Sequence, residues 1–437
     1  MRKKFLALIV TGGLGFAVGC SSGGATPSGV PGGGSTTSNI LSIAVDGGPF
    51  ASQPGGIYPN GAFASVTICH PGSTTNCVTV DNLLVDTGSV GLRVLQSEVS
   101  SLGLPTVNAS NGSAAYNCVS FVDGSFLWGP VQSATLTMAG EVASSVPIQV
   151  ISSSTANIPT SCSNGGVNEN TQTSLGANGI LGVGLEPFDC GVACDTSSGS
   201  ATPPSTSPAY YTCSSSGCTP AFASCGSECD DSSSVEQVTN PVVGFPLDNN
   251  GVIVELPSIS GSAATLTGSL VFGIGTETNN QFSTSASVFT VACDFFNTTY
   301  PVGGQAFDID PSSCTGPGSF IDSGSNAYFF YNVNNALAVC PSTSSAAAFY
   351  CPTSLTSLSA TVEDPNTQFS ETVNFSIDNA QTLFSSGDAA YSTLGGPVPA
   401  GDGFDWGLPF FYGRNVYVAI DGQAQPSGLA NAPWWAF

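Results

Sequence analysis

Asp86 and Asp322 stand in nearly the same local sequence, LLVDTGSVGLRV over 83–94 and SFIDSGSNAYFF over 319–330. Each follows apolar residues and is followed by Thr or Ser, then Gly, then Ser, and no third copy of this pattern occurs. Gly88 and Gly324 have no Cβ, so a second backbone can come close and present N–H groups to a carboxylate. Thr87 and Ser323 carry hydroxyls able to bond an opposing loop, and Ser89 and Ser325 can donate to the outer oxygens of Asp86 and Asp322. If the two loops meet, their carboxylates share one buried site. Like charges that close do not both ionise cheaply, so one carboxyl keeps its proton. Such a pair can activate a water as base and protonate a departing amine as acid. The separation, 322 − 86 = 236 residues, is one lobe plus an insertion. The competing reading is two unrelated Asp-Gly turns at strand ends.

The elements that must carry these loops read as β. Short runs rich in Val, Ile, Thr and Phe recur along the chain: ASVTICH, NCVTVDNLLV, QSATLTM, VPIQVI, GVIVEL, GSLVFGI and NVYVAI. Gly, Asn, Asp and Pro bound them, which predicts mostly antiparallel strands. Helix signals are few, the best being SEVSSLG (97–103) and NVNNALAVC (332–340). At 437 residues, 41% of them hydrophobic, the chain can fill two packed lobes.

Charge narrows the partners. Five basic residues face 29 acidic ones, and three of the five are Arg2, Lys3 and Lys4. Past residue 20 only Arg93 and Arg414 remain, giving +2 − 29 = −27, which argues against binding a nucleic-acid backbone. Such a surface repels itself least in acid. Each arginine is expected to pair with a carboxylate and pin its lobe; the alternative is a cleft arginine that meets a substrate acid. His70 reads as an exposed loop residue, and no serine lies in a GxSxG elbow that could use it.

The start, MRKKFLALIVTGGLGFAVGC, has the basic, apolar and small-residue regions of a secretory signal. Its end, AVGC, resembles the lipobox of bacterial lipoproteins. That resemblance implies lipidation of Cys20, residues 21–39 as a Gly/Ser/Pro tether, and anchoring to the bacterial cell envelope without a spanning helix; an ordinary secretory signal is the alternative. Ser21 points weakly to the outer membrane, by resemblance only. No later apolar run is long enough to span. Removing Cys20 from 15 cysteines leaves 15 − 1 = 14, which can pair in an oxidising compartment. One histidine and no repeated CxxC disfavour a metal. Cys69 with Cys77, Cys118 with Cys162, Cys293 with Cys314 and Cys340 with Cys351 are plausible pairs, though spacing does not fix connectivity. Residues 186–235 carry Cys190, Cys194, Cys213, Cys218, Cys225 and Cys229 in a Ser/Thr/Pro background. They read as a surface insertion that builds no core and is stiffened by three disulfides, with a bound metal the lesser reading.

Over residues 40–421 the chain resembles the pepsin-like aspartic proteases. VDTGS and IDSGS are similar to the two catalytic loops, NGILGVG (178–184) to the apolar-apolar-Gly segment after the first, GSLVFGIG (268–275) to the strand opening the second lobe, and WGLPFFYGRNVYVAID (406–421) to the closing segment. The resemblance implies a mostly β, bilobal fold with two lobes of six-stranded-barrel type, 40–245 and 246–437, and a cleft between them. It implies a water held by Asp86 and Asp322, an extended polypeptide as substrate, a monomer, and neither metal nor organic cofactor. SFVDGSFLWG (120–129) matches the flap, with Phe121 where the family has tyrosine. Phe121, Phe126 and Trp128 are expected to cover the cleft. Gly407-Leu408-Pro409 replaces the family's Gly-Asp. A peptide-binding protein of the same fold without turnover, or a structural envelope lipoprotein, are the rival readings.

Overall fold

All seven Val/Ile/Thr-rich runs are strands in the computed structural model, which describes residues 38–52, 57–109, 112–121, 123–194, 209–223, 236–300, 305–312, 315–367 and 369–437. In the first lobe six strands close on themselves. Phe63–Cys69 pairs with Cys77–Asp86, then follow Gly179–Val183, Val90–Leu95, Glu141–Ile151 and Phe126–Met138. Thr67 opposite Thr137 and Ile68 opposite Leu136 complete the ring. A closed ring leaves none of these strands as an open edge. Val66, Ile68, Val85, Leu92, Leu136, Ile148 and Leu181 fill it. Leu84, between the core residues Leu83 and Val85, is also buried, in a different cluster. A strand buried on both faces explains why LLV is an unbroken apolar run and not an alternating one.

The second lobe is built from several sheets. Leu266–Phe272, Gly251–Leu256, Arg414–Ala419, Trp434–Ala436 and Val288–Thr290 lie side by side. The hairpin Thr356–Glu363/Ser370–Ile377 joins Asn297–Tyr300 and Gln305–Phe307, and Phe320–Ile321, Asp405–Trp406, Tyr328–Tyr331 and Gly395–Val398 form a third sheet. Aromatic rings fill the space between, with Phe404 stacked on Trp406 at 4.3 Å between centroids. Trp435 packs edge-on against Phe296, so the PWWAF terminus is part of this lobe.

The strand Ile40–Val45, expected in the first lobe, makes six pairings with Leu266–Phe272 and one, Ala44 with Phe63, with the first-lobe ring. It ties the lobes together because Ile43 and Val45 alternate into a core that draws residues from both lobes. Of the two helix expectations, Gln96–Val99 forms and runs on as the 3₁₀ turn Ser100–Leu102. At 332–340 only the 3₁₀ turn Val333–Asn335 forms, since Asn334 and Asn335 take left-handed φ of 54° and 53°. Ala380–Ser385 is a helix the sequence reading missed, capped by Asn379 accepting from the N–H groups of Gln381 and Thr382.

Cys69–Cys77, Cys118–Cys162 and Cys340–Cys351 are disulfides, as are Cys190–Cys194 and Cys213–Cys218 within the insertion. Cys293 is disulfide-bonded too, while Cys225, Cys229, Cys314, Cys20, the leader and the tether to residue 37 lie outside the described residues. The insertion corrects its sequence reading. Its hairpin Tyr210–Ser214/Gly217–Pro220 adds two strands to the edge of Ala114–Ser120, and Tyr210, Tyr211 and Ala223 are fully buried. Two adjacent tyrosines pointing to opposite faces give a Ser/Thr-rich segment enough apolar area to join two clusters. Among the described residues no helix is long and apolar enough to cross a membrane.

Candidate active site

Each aspartate sits at the end of a strand that is paired on one side by a parallel neighbour. Asp86 ends Cys77–Asp86 opposite Gly182, and the returning strand Val90–Leu95 pairs with the other edge of Gly179–Val183. In the second lobe Phe320–Ile321 runs parallel to Asp405–Trp406, whose other edge pairs antiparallel with Tyr328–Tyr331. One strand is thus inserted between the two arms of each aspartate turn. This fixes both turns from within their own lobes and explains why the chain carries the motif twice.

The turns then lock to each other. Thr87 donates through Oγ1 to the Ile321 carbonyl at 2.9 Å and accepts the Ser323 N–H at 3.0 Å. Ser323 does the same in reverse, donating to the Val85 carbonyl at 2.8 Å and accepting the Thr87 N–H at 3.1 Å. Thr87 and Ser323 are almost fully buried, so these four bonds form without competing water. Glycine is required where the loops cross. A Cβ on Gly88 would lie 2.6 Å from Cγ of Asp322, and one on Gly324 would lie 2.7 Å from Cγ of Asp86.

Each carboxylate is held at both oxygens. Asp86 accepts the Gly88 N–H at 2.9 Å and the Ser89 hydroxyl at 2.5 Å, and Asp322 accepts the Gly324 N–H at 2.7 Å and the Ser325 hydroxyl at 2.7 Å. Both aspartates are 0% exposed. Burial pushes the Asp86 carboxyl well above the usual carboxylate range. The charge of Asp322 and a hydrogen bond to it push the same way, against the smaller opposing pull of Ser89 and Gly88. The arrangement keeps a proton on a buried carboxyl pair at pH values where exposed carboxylates have lost theirs.

A family model described as protein of unknown function (DUF3443) matches residues 35–437. The chain belongs to that family. Among solved structures, an aspartic proteinase from Irpex lacteus aligns with a TM-score of 0.45 and 14% identity, covering 86% of this chain and 92% of that one. No curated protein matches the sequence.

In this DUF3443 protein the hairpin Ala114–Ser120/Phe126–Met138 has Phe121 at its turn, 1% exposed, bonded to Ser125 and Gly124 through its backbone. Phe121 packs with Leu127, Leu84, Ile180 and Tyr58. Phe126 and Trp128 go elsewhere. They pack with Cys118–Cys162 and Tyr211, and Trp128 stacks on Tyr116 at 5.1 Å. The expected cover of Phe121, Phe126 and Trp128 is therefore split. Register pairs Ser120 with Phe126 and Val119 with Leu127, so Leu127 shares the face of Phe121 while Phe126 and Trp128 point away.

Two residues of the DUF3443 site were missed in the sequence. Tyr58 belongs to the Phe121 cluster, and the charges of Asp322 and Asp86 act on its hydroxyl. Asn60, 0% exposed with φ 52°, reaches across the lobes. It donates to the carbonyls of Asn326 and Tyr391, both at 2.9 Å, and accepts from the Tyr391 N–H and the Tyr412 hydroxyl, both at 2.7 Å. Both lie in GGIYPNG, which reads only as turn. Arg93 pairs with Asp189 at 2.9 Å as its structural reading expects, whereas Arg414 bonds the Phe410 carbonyl and lies 4.5 Å over that ring. Among the described residues no group of His, Cys, Asp or Glu is arranged to hold a metal ion.

Proposed function

We propose that this DUF3443 protein is an aspartic endopeptidase whose reaction centre is the Asp86/Asp322 pair. The observation that carries the reading is the pair itself: two carboxylates on interlocked loops, fully buried, with burial and the charge of Asp322 favouring the protonated form of Asp86. With the proton on Asp86, Asp322 is the base. It takes a proton from a water as the water oxygen attacks a peptide carbonyl carbon, and Asp86 passes its proton to the carbonyl oxygen. When the C–N bond breaks, the proton on Asp322 goes to the departing nitrogen and Asp86 recovers its own from the gem-diol. Gly88, Ser89, Gly324 and Ser325 keep both carboxylates oriented through the cycle. An extended polypeptide fits a site between two lobes, and the chain's acidity and the raised Asp86 favour action in acid. The basic and apolar start and Cys20 support an enzyme held by lipid at a bacterial envelope.

Asp86→Ala and Asp322→Ala are each expected to cut the rate of hydrolysis of an unfolded protein at acid pH by at least about 100-fold while leaving the far-UV spectrum unchanged. Two variants that cleave like the parent would remove the assignment. Tight binding of peptides by a parent that never cleaves them would instead mark a binding protein, the reading that the missing hydroxyl at Phe121 favours.

A further inference from the structure

Tyr58 is held as a functional side chain is held. Its N–H bonds the Gly47 carbonyl at 2.9 Å, and two residues on Asn60 is bolted to the second lobe. Its ring stands edge-on to Phe63 at 5.7 Å and is gripped by two glycines. A Cβ on Gly61 would come within 2.6 Å of Cδ1 of Tyr58, and one on Gly176 within 2.6 Å of Cδ2. The slot is cut to the ring, on one side by a glycine more than a hundred residues away in the chain. Yet the hydroxyl at the end of that ring has no partner among the described residues, although the side chain is 8% exposed and the oxygen is buried. A buried phenol without an acceptor is costly, and proteins seldom leave one idle. The charges acting on it are all negative: Asp322 and Asp86, then Asp123 and Glu169. Together with burial they keep it a neutral O–H, a donor at every working pH.

We propose that the Tyr58 hydroxyl donates its hydrogen bond to the group that the two aspartates hold, the carbonyl oxygen of the scissile peptide as it becomes tetrahedral. The inference rests on the proteolytic reading above and adds a donor that reaches the site from outside the Phe121 hairpin. Oxygen charge grows as the carbonyl is attacked, so a fixed donor there acts more on the transition state than on bound substrate.

Tyr58→Phe tests this, because the ring and its slot remain. Expected are an unchanged or higher melting temperature, a kcat lower by about 100-fold, and a KM within about twofold of the parent. A hydroxyl serving only the fold would lower the melting temperature and spare kcat. Binding of pepstatin, whose hydroxyl stands where the tetrahedral oxygen forms, supplies a readout without turnover and should weaken at least about tenfold. If Tyr58→Phe keeps the parent's kcat and pepstatin affinity while Asp86→Ala is inactive, the inference is wrong and the proteolytic reading stands. A parent that neither cleaves nor binds pepstatin overturns both.

Discussion

Replacing Thr87 by Val keeps the shape of the side chain and deletes the hydroxyl at the centre of the loop junction. That oxygen serves two backbone groups of the opposite lobe, the Ile321 carbonyl at 2.9 Å and the Ser323 N–H at 3.0 Å. Both would be left buried where water does not reach. A buried polar group deprived of its partner costs about 1–3 kcal/mol, so the pair costs about 2–6 kcal/mol. Against a typical folding free energy of about 5–15 kcal/mol, that is a large fraction from one atom. Thr87→Ser keeps the oxygen and should recover most of the loss. The assay is urea unfolding at mildly acid pH, with cleavage rate followed in parallel. Ser323→Ala probes the other half, since Ser323 bonds the Val85 carbonyl and the Thr87 N–H. The two side chains exchange bonds across one junction, so the double variant should depart from additivity by about 0.5–3 kcal/mol. Equal midpoints for Thr87→Val and the parent, or simple addition of the two costs, would refute the claim that this junction holds the lobes in register.

Stability should fall as pH rises. Burial raises Asp86 and Asp294 above the ordinary carboxylate range, so their favourable contribution is complete below that range and is lost as pH climbs through the raised values. The melting temperature is therefore expected to be highest near about pH 4 and lower at neutrality, and a rise over that interval would contradict the sign. Cys20→Ser should release the protein from membranes and abolish labelling by a palmitate analogue; retention of label would place the lipid elsewhere.

The meeting of the two aspartate loops was legible because its code is local. An apolar run names the strand, Asp-(Thr/Ser)-Gly-Ser names the turn, and a second copy names the partner. The seven principal strands were legible for the same reason, each carrying its own composition. What failed was set by distant partners. The face of Phe126 depends on its pairing with Ser120, which the residues at the hairpin turn do not reveal. Tyr58 gains its place from Gly176, and Asn60 from Tyr391 and Tyr412, none of which is near in sequence. Ile40–Val45 reads as a strand but its choice of the second-lobe neighbour is a matter of tertiary packing. The Tyr210–Tyr211 pair was hidden by a background of Ser, Thr and Pro.

That hidden pair changes what the insertion is. Arg93 lies on Val90–Leu95, the strand leaving the Asp86 turn, and its guanidinium bonds Asp189 at the root of the insertion. Asp189 also accepts the Tyr210 hydroxyl and the Asn117 amide, and Asn117 belongs to Ala114–Ser120, the first strand of the hairpin that ends at Phe121. The Tyr210 hydroxyl in turn accepts the Val238 N–H at 2.7 Å. One buried ion pair therefore joins the strand leaving the Asp86 turn, the insertion and the Phe121 hairpin through bonds that water does not reach. Removing either charge alone would strand the other and cost about 3–5 kcal/mol, far more than a surface pair of the same length. In a chain with two basic residues beyond residue 20, one of them is committed to this junction. Surface decoration would not need it. The bonding makes the cysteine-rich segment a brace of the lobe that carries Asp86, with Tyr211 and the Cys213–Cys218 hairpin extending the sheet that carries Phe121.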